Sequence, residues 1–286
     1  MYTIDTESAN VWNGERLETS RHDGVAIEHL HRYAIALDLV QEKNVLDLAS
    51  GEGYGSNLMA LVAKSVTGVD ISNEAIEHAQ NKYRKDNLRF LRGSADKVPL
   101  ESNSIDVVVS FETIEHHDKH EEMMIEVKRV LKHDGLLIIS SPDKLNYSDI
   151  PEPNNLYHVK ELYIEEFREL INKYFQNSSM LLQKMVYASL ISPECNSKSF
   201  KEYSGTYTSI RSSSRIQSPV YNICIASDSK LVEFEASICD GKEILERLFN
   251  IRVQQAEMQI KLSNSYKVGH LITSPIRLIK NIFQIL

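Results

Sequence analysis

The chain alternates between helical stretches and short apolar runs. Residues from about Val25 to Gln41 are expected as one helix. β-Branched or aliphatic runs follow at Val45–Leu48, Ser65–Val69, Ile105–Val109 and Leu136–Ile139. Runs of this kind suit strands buried on both faces, and their alternation with helices through residue 140 predicts a parallel sheet covered on both sides. A further helix is expected over about Val159 to Lys173, and Ser179–Leu190 and Val220–Ala226 are expected as an antiparallel pair of strands. Between that pair lies Ser192–Pro219, rich in serine and tyrosine, too polar for a core and long for a hairpin loop. It reads as a mobile lid, as substrate-facing decoration or as disorder.

The C-terminal part follows a different rule. Ile244, Leu248, Ile251, Gln255, Met258 and Leu262 recur at alternate spacings of four and three, a heptad seam about three heptads long. A helix packed on its own domain and a dimerising coiled coil are both compatible with that seam. The last segment opens with Ser274-Pro275, a suitable N-cap and first helical position. It runs to Leu286 with Arg277 and Lys280 as its only charges. It is too short to span a bilayer but could lie in the interface of one leaflet or dock on protein.

Chemistry enters with the run Val45-Leu46-Asp47-Leu48-Ala49-Ser50-Gly51-Glu52-Gly53-Tyr54-Gly55. It reads as a buried strand carrying an acid, then alternate glycines opening into a helix. Glycine tolerates positive φ and lets a ligand approach, and the first N–H groups of the helix then face that ligand. The strand after it ends in Asp70, placed to accept ribose hydroxyls. These features describe a nucleoside-binding βαβ unit. A nicotinamide fingerprint would read G-x-G-x-x-G. Here the spacing is G-x-G-x-G with Asp47 ahead of it, and a carboxylate there repels pyrophosphate but suits a cationic ligand with an α-amino group.

The run resembles motif I of the class I S-adenosylmethionine (SAM) methyltransferases, and the resemblance extends over about residues 24–226. Asp70-Ile71 matches the ribose acid, Gly93-Ser94-Ala95-Asp96 the loop that touches adenine, Ser104–Ser110 the fourth strand, and Val130–Ile139 the helix-turn-fifth-strand signature. The family implies an α/β fold with a Rossmann-like seven-stranded sheet, here with a helical extension over 227–286 and a polar segment over 1–23 that holds Trp12. It implies SAM as cofactor, bound by Arg32, Asp47, Ala49, Gly51, Gly53, Tyr54, Gly55, Asp70, Ile71, Ala95, Asp96 and Phe111. Arg32 is the candidate partner of its carboxylate, with Tyr33 beside it.

After the fourth strand the chain reads Ser110-Phe111-Glu112-Thr113-Ile114-Glu115-His116-His117. The Asn/Asp-Pro-Pro-Tyr/Phe element of many amino-group methyltransferases is missing, which points toward an oxygen acceptor. One helical turn would bring Glu112, Glu115 and His116 to a common face. With His158 they form an oxygen and nitrogen set acceptable to magnesium, manganese or zinc. The pattern resembles the metal site of small-RNA 3′-terminal 2′-O-methyltransferases, and it also occurs in family members that use no metal. Glu115 and His116 are the candidate catalytic residues. A metal would template a diol and lower its pKa; without one, His116 or His117 could take the proton. His117 and His120 are otherwise expected to be solvated, and Asp143 and Tyr147 border the sheet edge where acceptors bind.

Tyr157–Leu162, together with His31-Arg32-Tyr33, Gly53–Ser56 and Tyr266, Gly269, Leu271, Pro275 and Arg277, resembles methyltransferases of bacterial surface-glycan loci. That resemblance implies O-methylation of a sugar in an O-chain, with a lipid-linked chain or nucleotide sugar as acceptor. It also gives the tail a peripheral membrane role and the 241–262 seam a homo-oligomer or glycan-assembly partner. A small-molecule O-methyltransferase of quinone or secondary metabolism is an alternative. So is a non-catalytic SAM-fold scaffold, although the intact Asp47, glycine and Asp70 set argues against it.

Composition narrows the setting. A net charge of −8 argues against a general nucleic-acid binder. Cys195, Cys224 and Cys239 have no metal-ligand spacing and would leave an odd thiol in any disulfide scheme, so a reducing cytoplasm is expected, peripheral to the inner membrane if the tail binds lipid. No basic region followed by an apolar stretch marks a secretory signal. No run approaches the roughly 20 apolar residues of a membrane span.

Overall fold

The computed structural model describes residues 17, 19–20, 23–151, 155–186, 202–206, 209–213 and 216–268. Its internal contacts divide the chain into two units, one of residues 1–21 and 28–239 and the other of 22–27 and 240–286.

Among the described residues the larger unit has nine strands. β1 (Asn44–Leu48), β2 (Ser65–Asp70), β3 (Leu88–Arg92), β4 (Ile105–Ser110), β5 (Leu131–Pro142), β6 (Asn177–Gln183) and β9 (Tyr221–Ser227) form one sheet of order β3-β2-β1-β4-β5-β9-β6. The first five are parallel, and β9 runs antiparallel to β5 and β6 on either side. This is the Rossmann-like methyltransferase fold, as expected. The inner strands β1, β2, β4 and β9 and the second half of β5 are buried on both faces because helices cover both. α1 (Gly24–Leu39) and α2 (Tyr54–Met59) place Tyr33, Ala36 and Met59 against Val45, Val107 and Val109 on one face. On the other, α4 (His120–Val130) and α5 (Ile164–Tyr174) place Met123, Val127, Phe167 and Ile171 against Leu46, Val108 and Leu137. α3 (Asn73–Lys82) packs Ile76 and Ala79 on Phe90. The order reverses between β1 and β4, so their carboxyl ends open the crevice where ligands of such sheets bind.

Two expectations are corrected. The helix predicted from Val159 begins at Ile164, and residues 155–163 are a turn at 156–157 and irregular chain with a single bridge from Leu162 to Asp143. Its start is set by Tyr163, whose backbone N–H donates to Glu166, and by Asp143, which accepts from the Ile164 N–H. The polar insertion contains an antiparallel pair, β7 (Glu202–Thr206) and β8 (Ser209–Ser213), in a sheet of its own. The rest of 187–215 lies outside the described residues, as do Trp12, Cys195 and the tail from Gly269.

In the smaller unit, α6 (Lys242–Leu262) is a 21-residue helix with no buried residue. No helix among the described residues is long and apolar enough to cross a membrane.

Candidate functional site

The loop after β1 is shaped by backbone conformations that ordinary residues avoid. Ala49, Gly51 and Gly53 have φ of 66°, 53° and 89°. A left-handed alanine costs about 1–2 kcal/mol, and the loop holds it because Ala49 and Ser50 both donate to the Val69 carbonyl, at 2.7 and 3.0 Å. The Gly51 N–H donates to one Asp70 oxygen at 2.9 Å and the Ser72 N–H to the other, also at 2.9 Å. Two backbone donors, one to each oxygen, thus hold the Asp70 carboxylate in place.

Two of the glycines serve packing rather than a ligand's approach. A Cβ on Gly53 would lie 2.8 Å from both Ala79 and Phe90, and one on Gly55 would lie 2.0 Å from the Tyr33 ring. That ring also meets Tyr54 and Phe111 edge-on, with centroids 5.5 and 5.1 Å away. Tyr33, Tyr54 and Phe111 therefore form an aromatic wall that exists only because residue 55 has no side chain.

Asp47 is buried beneath this wall. Its carboxylate accepts from the Ser56 hydroxyl at 2.6 Å. Burial nevertheless pushes its pKa up to about 7, with the Ser56 bond opposing the rise and the Asp70 charge adding to it. A carboxylate destabilised in this way has a strong incentive to meet a cation.

Arg32, on α1, is 1% exposed. Its Nη1 donates to Gln183 at 2.8 Å and stands 3.9 Å from Glu112, and its guanidinium lies 4.8 Å over the Tyr221 ring. Nε and Nη2 have no hydrogen-bond partner among the described residues. Buried guanidinium donors are costly when unmade, and the anion that suits them best is a carboxylate.

The predicted acidic face forms only in part. Glu112 adopts φ of 51°, a left-handed conformation, ahead of a one-turn helix at Ile114–His116. That backbone turns its side chain toward Arg32 and Ser140, whose hydroxyl donates to Glu112 at 2.6 Å. Glu115, His116 and His158 do come together, each offering a ligand atom within 4.8 Å of the others. Glu112 does not join them, because the chain has not yet entered the helical turn that the common face requires.

Glu115 is fully buried, and desolvation together with the neighbouring Glu112 charge raises its pKa well above the usual carboxyl range. Its Oε1 is 3.9 Å from His116 Nε2, while its carbonyl accepts from the Val159 and Lys160 N–H groups at 2.8 and 3.0 Å. His116 Nδ1 is 3.1 Å from the Tyr157 carbonyl. A carbonyl can only accept, so Nδ1 carries a proton, and Nε2 is the nitrogen that faces Glu115. His158 is held by Glu161 at Nδ1 and by the Asn155 amide, 2.8 Å from Nε2, with Tyr147 stacked on it at 5.2 Å.

Other candidates fall as follows. Ile71 is exposed beside Asp70, and Ala95 is packed against the core. Asp96 pairs with Lys119 at 2.5 Å, a hydrogen bond that lowers its pKa to about 2. His120 is buried rather than solvated, 2.8 Å from the His117 carbonyl, and burial depresses the pKa of both imidazoles. Asp143 is occupied structurally by Asn146 and Ile164.

Sequence reasoning missed Gln183 and Tyr221, which arrive from β6 and β9. It also missed Glu52, which accepts from the Thr19 N–H at 3.0 Å, from its hydroxyl at 3.1 Å and from Lys82 at 2.5 Å. An acid between two glycines was the visible signal for Glu52; its partner 33 residues upstream was not.

Comparison with known proteins agrees with this fold. Residues 46–139 match the family model described as a methyltransferase domain. The chain is 35% identical, over 45% of its length and 47% of the relative's, to the "Probable S-adenosylmethionine-dependent methyltransferase" of Mycobacterium tuberculosis. It is 32% identical, over 44% of its length and 43% of the relative's, to the phthiotriol/phenolphthiotriol dimycocerosates methyltransferase of the same organism. The chain thus spans about half the length of the curated relatives it matches. A SAM-dependent methyltransferase of Thermotoga maritima shares the fold at 20% identity, with a TM-score of 0.51 over 71% of this chain and 90% of that one. These relatives are not named for O-antigen synthesis, so the surface-glycan resemblance rests on the sequence motifs alone.

Proposed function

We propose that this chain, whose residues 46–139 match a methyltransferase-domain model, transfers the SAM methyl group to a hydroxyl of a sugar in a surface glycan or its lipid-linked precursor. The observation that supports the oxygen acceptor is the contact of His116 Nδ1 with the Tyr157 carbonyl. With Nδ1–H given to the Tyr157 carbonyl, Nε2 is a base at the carboxyl end of β4. SAM would sit with its ribose on Asp70, its α-amino group toward Asp47 and its carboxylate toward the two unmatched Arg32 donors.

Methyl transfer is an in-line displacement. The acceptor oxygen forms a bond to the methyl carbon as the sulfonium leaves as a thioether, and the hydroxyl proton must depart. His116 Nε2 takes that proton, a contribution of about 10²–10⁴-fold. The Tyr157 carbonyl, which accepts from Nδ1, holds the ring in place as Nε2 is protonated. Alignment contributes on the order of 7–11 kcal/mol in favourable cases. Glu115, His116 and His158 are the candidate donors for a divalent cation, which would have to displace the Asn155 amide from His158 and would act as a Lewis acid on the hydroxyl in place of the His116 base.

The test is methyl transfer from labelled SAM to glycan fractions, by the parent and by His116→Gln. Both proteins should bind SAM equally, and the variant should lose at least about 10²-fold in rate. Equal rates, or label found on nitrogen, would sink the oxygen reading. A titration with Mg²⁺ or Mn²⁺ alone, followed by calorimetry, decides the cation.

A further inference from the structure

We infer that Gln183 and Tyr221 are positioning residues that hold Arg32 with one edge of its guanidinium turned to the cofactor's carboxylate. Strands β6 and β9 would then select the amino-acid end of SAM. The inference rests on the placement of the cofactor proposed above and is independent of the acceptor.

The two residues form one platform. Gln183 on β6 and Tyr221 on β9 are partners in the antiparallel register, and directly opposite residues of such a pair project to the same face. Both are buried, at 8% and 9% exposure. Gln183 bridges to two residues one turn apart on α1. Its Nε2 donates to the Glu28 carbonyl at 3.0 Å, and its Oε1 accepts from Arg32 Nη1 at 2.8 Å. A carbonyl only accepts and a guanidinium only donates, so the amide has one possible orientation. The Tyr221 ring lies under the guanidinium, 4.8 Å from ring centroid to Arg32 Cζ. A one-residue slip of β6 against β9 would turn Gln183 to the opposite face and dissolve the platform.

Arginine carries five N–H donors in a rigid plane. Gln183 fixes the Nη1 side of that plane, and the Tyr221 ring fixes its tilt. The edge left over is formed by Nε and Nη2, and neither atom has a hydrogen-bond partner among the described residues. Such an edge is a two-donor fork that grips a carboxylate through parallel bonds. Glu112 does not fill it. That acid stands on the Nη1 side at 3.9 Å and accepts from the Ser140 hydroxyl at 2.6 Å. A simple anion at the fork would also meet the Glu112 charge, whereas SAM brings two positive charges together with its carboxylate. Neither Gln183 nor Tyr221 lies within 46–139, the stretch that matches the methyltransferase-domain model.

The experiment is calorimetric titration of the full chain with SAM and with decarboxylated SAM, which differ in the carboxylate alone. The parent should bind SAM about a hundredfold more tightly, the worth of two charge-assisted hydrogen bonds. Gln183→Met fills the same space without either hydrogen bond. It should weaken SAM by about tenfold and leave decarboxylated SAM unchanged. Tyr221→Leu should shrink the ratio in the same way, and Tyr221→Phe, which keeps the ring face, should preserve it. A purely structural role would weaken both ligands alike. Equal losses for both ligands, or a ratio that Gln183→Met and Tyr221→Leu leave unchanged or enlarge, would overturn the inference while leaving the cofactor's placement intact. A parent that binds the two ligands equally would overturn that placement as well, and would assign the Arg32 fork to another anion. Should Gln183→Met fail to fold, Tyr221→Leu reads the same ratio.

Discussion

Replacing Asp47 by Asn should make the protein more stable and a poorer binder of its cofactor. Raising a carboxyl from its ordinary 3.8 to about 7 means that the folded chain disfavours the ionised form by about 4 kcal/mol. Between those two pH values the folded state holds a proton that the unfolded state has released. Stability therefore falls as pH rises from about 4 to about 7, and the full penalty is present above that. Asn at this position is neutral, and its carbonyl oxygen can still accept from Ser56. Asp47→Asn should gain roughly 1–4 kcal/mol at about pH 8, and little or nothing at about pH 4. Urea unfolding followed by circular dichroism at the two pH values measures this. Glu115, also raised, contributes its own slope to both proteins, so the difference between them isolates Asp47. SAM affinity should fall by about tenfold or more, because a charge-assisted hydrogen bond contributes about 1.5–3 kcal/mol. A variant no more stable than the parent at the higher pH, or a gain of equal size at both, would refute the argument that burial destabilises this carboxylate.

Three further outcomes follow from packing and pairing. Gly55→Ala places a methyl 2.0 Å from the Tyr33 ring, which should cost about 1–3 kcal/mol or more and lower the melting temperature by several degrees. Arg32→Met strands Glu112 and Gln183; the pair is 3.9 Å apart and Glu112 is partly open to water, so the loss in urea unfolding should be about 1–3 kcal/mol, below the fully buried case, with weaker SAM binding in calorimetry. Glu52→Ala removes the acceptor of both Thr19 hydrogen bonds and should speed amide exchange at Thr19 in hydrogen-exchange measurements, while a wild-type rate would show that Glu52 does not hold that residue.

Local signals in the chain were enough for most of the sheet and for the glycine loop after β1. Strands buried on both faces must be apolar throughout, so β1, β2, β4 and part of β5 announce themselves in a few residues each. Asp47, the glycines and Asp70 are equally legible because one βαβ unit brings them together within 26 residues. What the glycines are for was decided elsewhere: Gly53 and Gly55 are small because Phe90 and Tyr33 fill the space, and those rings come from β3 and α1. The acidic face after β4 shows the same division. Its residue types were readable, but a left-handed Glu112 paired across space with Arg32 and Ser140 separates it from Glu115 and His116. Gln183, Tyr221 and His158 reach the site from strands and turns 40 or more residues downstream. Backbone periodicity acts over a turn or a strand, so it determines which elements form. Which side chains meet depends on how those elements stack, and packing and desolvation settle that only in the folded chain.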